Sequence, residues 1–129
     1  MHPFQYVLLR CVPRVDRGEF VNVGVVVHSQ SAELLRAAWQ LDADRLRALD
    51  RGLDLDALEA ALRTIDRVCA GESGGGLPDL PTPGKRFGWI VAPRSTVLQP
   101  GPLHGGQCAD PSLALEELMT RLVRVEEDR

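Results

Sequence analysis

The sequence predicts an α+β domain: one antiparallel sheet begun by an N-terminal β-hairpin, with about three helices packed on a face of it. Two apolar runs early in the chain alternate with the period of a strand, and later segments pair an Asp cap with leucines at helical spacing. At 129 residues, 44% hydrophobic and 26% charged, the chain fits a single domain, 1–129, large enough to bury a core without metal or disulfide support.

Residues 5–12, QYVLLRCV, form the first predicted strand, with Val7, Leu9 and Cys11 on one face and Tyr6, Leu8 and Arg10 on the other. The turn PRVDRG leads to EFVNVGVVVH, whose alternation places Val21, Val23, Val25 and Val27 on one face and Phe20, Asn22, Gly24, Val26 and His28 on the opposite one. Matching the two apolar faces sets Leu9 near Val23 and Cys11 near Val21, and brings Arg10 to the face of Asn22 and Gly24. Residues 32–41, AELLRAAWQL, read as a third strand, although their Leu and Ala content also permits a helix.

Asp42 then caps a short helix through Leu49, with Gly52 as its stop, and Asp54 caps a longer one. Leu55, Leu58, Leu62, Ile65 and Cys69 make the inner stripe of that second helix, and Glu59 and Arg63 are spaced for an i,i+4 pair on its wet face. The Gly/Pro-rich stretch 71–84 reads as a flexible loop, and KRFGWIVA as a further strand. Prolines and the Gly105–Gly106 pair break residues 93–109, leaving at most a short strand at STVLQ. Asp110 followed by Pro111 opens the last helix, with Leu115, Leu118, Met119 and Leu122 inside and the terminal EEDR expected to fray.

Composition removes several classes of function. A net charge of −3 is the wrong balance for a general nucleic-acid binder. No run has the apolar length to cross a bilayer, and the opening residues lack the features of a cleaved leader. Cys11, Cys69 and Cys108 are too widely spaced for a zinc knuckle or a disulfide framework, so a reducing cytoplasm is expected. His2, His28 and His104 stand apart, without the spacing that brings two metal ligands together, and no cofactor motif occurs. The glycines at 74–76 do not make a phosphate loop: Gly84–Lys85 is followed by Arg86, and Asp79 stands where the first glycine is required. Ser95, His104 and Asp110 are the residue types of a hydrolytic triad but lack a nucleophile elbow.

One stretch remains unusual. Between Asp79 and Asp110 there is no acid, while Lys85, Arg86, Arg94 and His104 fall inside the window. Arg94 offers a planar fork of donors suited to carboxylate or phosphate, and Ser95 and Thr96 add neutral donors. Arg86, eight residues earlier, would share its face on an unbroken strand. In the hairpin, Glu19 is a natural partner for Arg17 or for an arginine across the sheet, Asn22 needs hydrogen bonds if its face is buried, and Gly24 suits close approach by a neighbouring segment or a ligand. Paired surface arginines and a polar network that fixes the PRST loop on the hairpin are the plain structural alternative.

The segments RGEFVNVGVVVH and RFGWIVAPRSTVLQPGPLHGG, with the closing helix from Asp110, resemble the bacterial domain-of-unknown-function family 3037 over nearly the whole chain. Leu103 and Gly105 depart from the family pattern, which runs closer to GPVHTG. The resemblance implies a small stand-alone protein, an accessory role, and a HipA-like kinase protein as partner. It marks Arg17, Glu19, Asn22, Arg86, Arg94, Ser95, Thr96 and His104 as candidates for one binding site. The expectation is therefore a non-catalytic accessory or binding protein that presents arginines to an anionic small molecule or partner. The alternative is an enzyme acting on a phosphorylated or nucleic-acid substrate, with Glu19 or His104 as general base. A third reading, a purely structural subunit, calls for an exposed apolar patch on the third strand or the last helix.

Overall fold

The N-terminal strand lies inside the sheet and takes partners from both ends of the chain. The structure, a computed structural model, describes residues 1–125. Its elements are β1 (His2–Cys11), β2 (Val21–Ser29), β3 (Leu34–Trp39), α1 (Ala43–Leu49), α2 (Leu55–Cys69), α3 (Pro83–Val91), β4 (Leu98–Pro100), β5 (His104–Cys108) and α4 (Pro111–Leu122). The sheet runs β3-β2-β1-β4, with β5 also paired to β1, and every pairing is antiparallel. This is the expected α+β domain opening on a hairpin, with four helices instead of three. The expected frayed EEDR end lies outside the described residues. Among those described, no helix is long and apolar enough to cross a membrane.

The hairpin carries a bulge that the alternation alone conceals. Cys11 pairs with Val21 and Arg10 with Asn22, but Leu9 pairs with Gly24, which leaves Val23 as an extra residue in β2. The expected Leu9–Val23 pairing is thus corrected, and Gly24 sits opposite Leu9 instead of beside Asn22 and Arg10. Beyond the bulge the faces of β2 exchange. Val21, Val23 and Val26 enter one core with Val7, Leu9 and Cys11, while Val25 and Val27 enter another. Gly24 makes this possible: a Cβ there would lie 2.8 Å from the Ala38 carbonyl oxygen and 2.9 Å from Trp39 Cβ.

Helices consequently cover both faces of the sheet, not one. Leu58, Leu62, Ile65 and Val68 of α2, with Phe87 and Ile90 of α3, close the larger core. Leu115, Leu118 and Met119 of α4, with Val123, close the smaller one over Val25 and Val27. Complete burial of each such side chain contributes about 1.5–3 kcal/mol. Asp42, Asp54 and Asp110 cap their helices as expected, each accepting a backbone N–H of the first turn. The short first helix ends at Leu49 with Asp50 as its C-cap, before Gly52. In α2, Val68 is the buried residue of the last turn and Cys69 is half-buried beside it, while Glu59 and Arg63 form the expected pair at 3.1 Å.

Two segments differ from expectation. KRFGWIVA is helical: Thr82 caps α3 by accepting the Lys85 N–H, Pro83 occupies the first turn, and Phe87 and Ile90 face the core one turn apart. The final residues of the 71–84 segment therefore belong to a helix, and the irregular connection before it turns through positive φ at Gly71, Gly74, Gly75 and Gly76. Downstream, the short strand is Leu98–Pro100, and His104–Cys108 forms another strand straight through the glycine pair. The Phe4 ring lies over Gly106, where a Cβ would come within 3.0 Å of it, so an aromatic from β1 covers the strand where its own side chain is missing.

Candidate functional site

The tract expected to dock on the hairpin does so through its backbone. Val12 N–H donates to the Val97 carbonyl at 2.7 Å, Leu98 pairs with Cys11, and Gly101 N–H donates to the Leu8 carbonyl at 2.7 Å. The side chains of the candidate residues, however, divide between the two faces of the sheet and its ends.

Arg94 lies where the chain leaves α3. It donates through Nη2 to the Trp89 carbonyl at 2.6 Å, supplying a partner to the last turn of the helix, and its guanidinium sits over the Trp89 ring at 4.7 Å from the centroid. It is half-buried, and that partial desolvation lowers its pKa. Among the described residues no carboxylate forms an ion pair with it, whereas Arg14, Arg17, Arg63, Arg67 and Arg124 each have one.

From Arg94 a groove runs between α2 and the 94–98 segment. One part, about 510 Å³, is bounded by Ile65, Trp89 and Arg94. It shares Ala61, Thr96 and Leu98 with a second part of about 320 Å³ that extends to Leu53 and Leu58. The walls are largely apolar, with Arg94 at one end and Asp54 at the other. Thr96 lines both parts but donates its hydroxyl to the Leu98 carbonyl at 2.7 Å. Ser95 is exposed in the same loop.

The remaining candidates lie elsewhere. Arg86 is in the first half of α3, donates Nε to the Leu80 carbonyl at 2.9 Å and packs its guanidinium against Gly71. Its segment is helical and Arg94 follows the helix, so the shared strand face expected for the two does not exist. Arg17 and Glu19 pair with one another at 2.7 Å in the exposed hairpin turn, an interaction that raises the Arg17 pKa. His104 stacks on Tyr6, ring centroids 5.1 Å apart, on the α4 side of the sheet. From Tyr6 to Cys11 the strand runs about 16 Å before the turn that holds Glu19 begins.

Asn22 belongs to a group in which Arg10 is the residue the sequence reading left out. Asn22 Nδ2 donates to the Leu122 carbonyl at 3.2 Å, at the end of α4. Its strand partner Arg10 lies with its guanidinium 4.0 Å from the Phe20 ring centroid and against Gly101. Arg10 Nε and Asn22 Oδ1, on residues paired across the hairpin, are both buried without a hydrogen-bond partner. The expected shared face of Arg10 and Asn22 was the available sequence signal. Phe20 was expected on that same face, and its ring meets the Arg10 guanidinium there.

Neither Cys11 nor Cys69 is activated by its surroundings. Burial pushes Cys11 up to about 11 and Cys69 up to about 12, in both cases chiefly by desolvation. Among the described residues no three His, Cys, Asp or Glu side chains gather into a metal-holding group.

A family model described as a protein of unknown function (DUF3037) matches residues 6–123. No curated protein and no solved structure matches the chain.

Proposed function

The chain belongs to the DUF3037 family, and from that premise we propose that it is a binding protein without catalysis of its own, which holds an anionic group on Arg94 at the mouth of the apolar groove. The observation that carries this reading is a half-buried guanidinium, positioned by Trp89, that has no carboxylate partner among the described residues and borders a groove with apolar walls. One Nη2–H is used internally, and the rest of the fork is available for a carboxylate or phosphate. The groove suits an apolar body attached to that anion, carried by a small molecule or by a segment of a partner. A HipA-like kinase protein is the partner implied by the family resemblance.

The enzyme alternative draws less support. It needs Glu19 or His104 beside the arginine, but Glu19 is paired with Arg17 in the hairpin turn and His104 stacks on Tyr6 across the sheet. The structural-subunit reading needs an apolar patch, and among the described large apolar residues only Leu113 of α4 is exposed on the two elements concerned.

Titration with hexanoate, hexanol and inorganic phosphate, followed by amide chemical shifts, tests the proposal. Hexanoate is expected to move resonances of Ala61, Trp89 and Thr96, hexanol to do so far more weakly, and Arg94→Gln to weaken hexanoate binding about tenfold or more. Arg94→Gln removes the stacked guanidinium, at about 1 kcal/mol, so the thermal midpoint should fall by only a few degrees. Equal responses to hexanoate and hexanol, or binding retained by the variant, would overturn the reading.

A further inference from the structure

The direction of each backbone group along the outer edge of the sheet can be worked out from β1. The Ser29 hydroxyl donates to the Pro3 carbonyl at 2.8 Å, so Pro3 presents its carbonyl toward β2. In an antiparallel ladder the groups of successive residues point to alternate sides, so odd-numbered residues of β1 bond β2 and even-numbered ones bond the other neighbour. Gly101 N–H donating to Leu8 O and Val12 N–H donating to Val97 O follow the same parity. In β5, His104, Gly106 and Cys108 are therefore the residues whose N–H and C=O groups meet Tyr6, Phe4 and His2. Gly105 and Gln107 direct theirs outward.

The two halves of this edge are protected differently. In β4 the outward residue opposite Leu9 is Pro100, which has no N–H to offer. β5 has no such protection: His104 to Gln107 are all exposed, and no Asp, Glu, Lys or Arg occurs from Leu98 to Ala109. The sheet's opposite edge, β3, carries Arg36 within its run and Glu33 just before it. Two-fold antiparallel pairing of β3 would bring Arg36 close to its own copy, a like-charge opposition, whereas the same operation on β5 opposes no charges.

We propose that β5 is a strand-pairing edge whose occupant is a second copy of this chain, joined antiparallel about a two-fold axis near Gly105 to Gln107. Outward residues pair with outward residues, so Gly105 stands opposite Gly105 or Gln107 of the second copy, and the two sheets become continuous. A strand of five residues buries less than a standard interface, so the dimer is weak and dissociates on dilution.

Sedimentation equilibrium up to about 1 mM tests this, together with amide hydrogen exchange at high and low concentration. The wild-type protein is expected to dimerise, with exchange at Gly105 and Gln107 slowed about tenfold on concentration. Gln107→Pro removes an outward N–H without touching the β1 ladder, and should remain folded by circular dichroism and monomeric throughout. A wild-type protein monomeric at every concentration, or a folded Gln107→Pro protein that still dimerises, overturns the proposal. If Gln107→Pro does not fold, concentration-dependent protection of Gly105 and Gln107 in the wild type decides: its presence supports the proposal and its absence ends it. If another chain's strand pairs here instead, the purified protein stays monomeric and unprotected, which also overturns it.

Discussion

Gly24 and Trp39 oppose each other so closely across β2 and β3 that a Cβ added at Gly24 would lie 2.9 Å from Trp39 Cβ. The same added atom would stand 2.8 Å from the Ala38 carbonyl oxygen, which is backbone and cannot turn aside. Gly24→Ala should therefore destabilise the protein by about 1–3 kcal/mol, despite the usual benefit of removing glycine from a strand. Urea denaturation checks this; an unchanged or raised midpoint would mean that β3 can move away from the bulge without cost.

His28 supplies a pH dependence. Its ring lies 5.1 Å from that of Phe87, and desolvation there lowers its pKa from the ordinary 6.5. A histidine whose folded pKa is depressed must take up its proton at a cost, so its neutral form contributes stability fully above about pH 6.5. That contribution is lost as pH falls from the unfolded value toward the lower folded one. Thermal midpoints of wild type and His28→Gln, measured from pH 8 to pH 5, should show a steeper acid decline in the wild type across this window. Parallel curves would remove His28 as the cause.

The cysteines should react in a set order. Cys11 is buried and raised to about 11, and Cys69 is half-buried and raised to about 12, so neither carries appreciable thiolate at neutral pH. Cys108, half-exposed near the end of β5, is expected to take up iodoacetamide first in the native protein, with the other two modified only on unfolding. Mass spectrometry of a time course at pH 7.5 reads the order directly; early labelling of Cys69 would contradict the burial given for it.

Much of the fold was legible where sequence patterns act locally. Asp42, Asp54 and Asp110 announced their helices because capping needs only the next few residues. The segment containing Phe87, Trp89, Ile90 and Val91 was misread because its composition suits a strand, while the signals that decide it, Thr82 and Pro83, lie just upstream. β5 was missed because a glycine pair reads as a break, and the ring of Phe4 that covers Gly106 comes from about a hundred residues away. Val25, Val26 and Val27 in succession were the unheeded sign of a strand buried on both faces. Of the candidate site, Arg94 and Thr96 lie together on the groove with Ser95 in the same loop, Arg86 is apart from the expected strand face because its segment is a helix, and Arg17, Glu19, Asn22 and His104 sit on other elements.

The central position of β1 bears on how the chain matures. Its β2 partner is synthesised almost at once, but β4, β5 and the helix that seals Val25 and Val27 emerge only with the last third of the chain. A nascent chain can thus hold the hairpin, β3 and the first two helices while one flank of β1 and one valine-rich surface stay open to water. Such pairings between distant segments are slow to close. The interval between translation of residue 69 and release from the ribosome is accordingly when the protein is most exposed to misassociation, and a stop codon placed after α3 should yield aggregates instead of a smaller soluble domain.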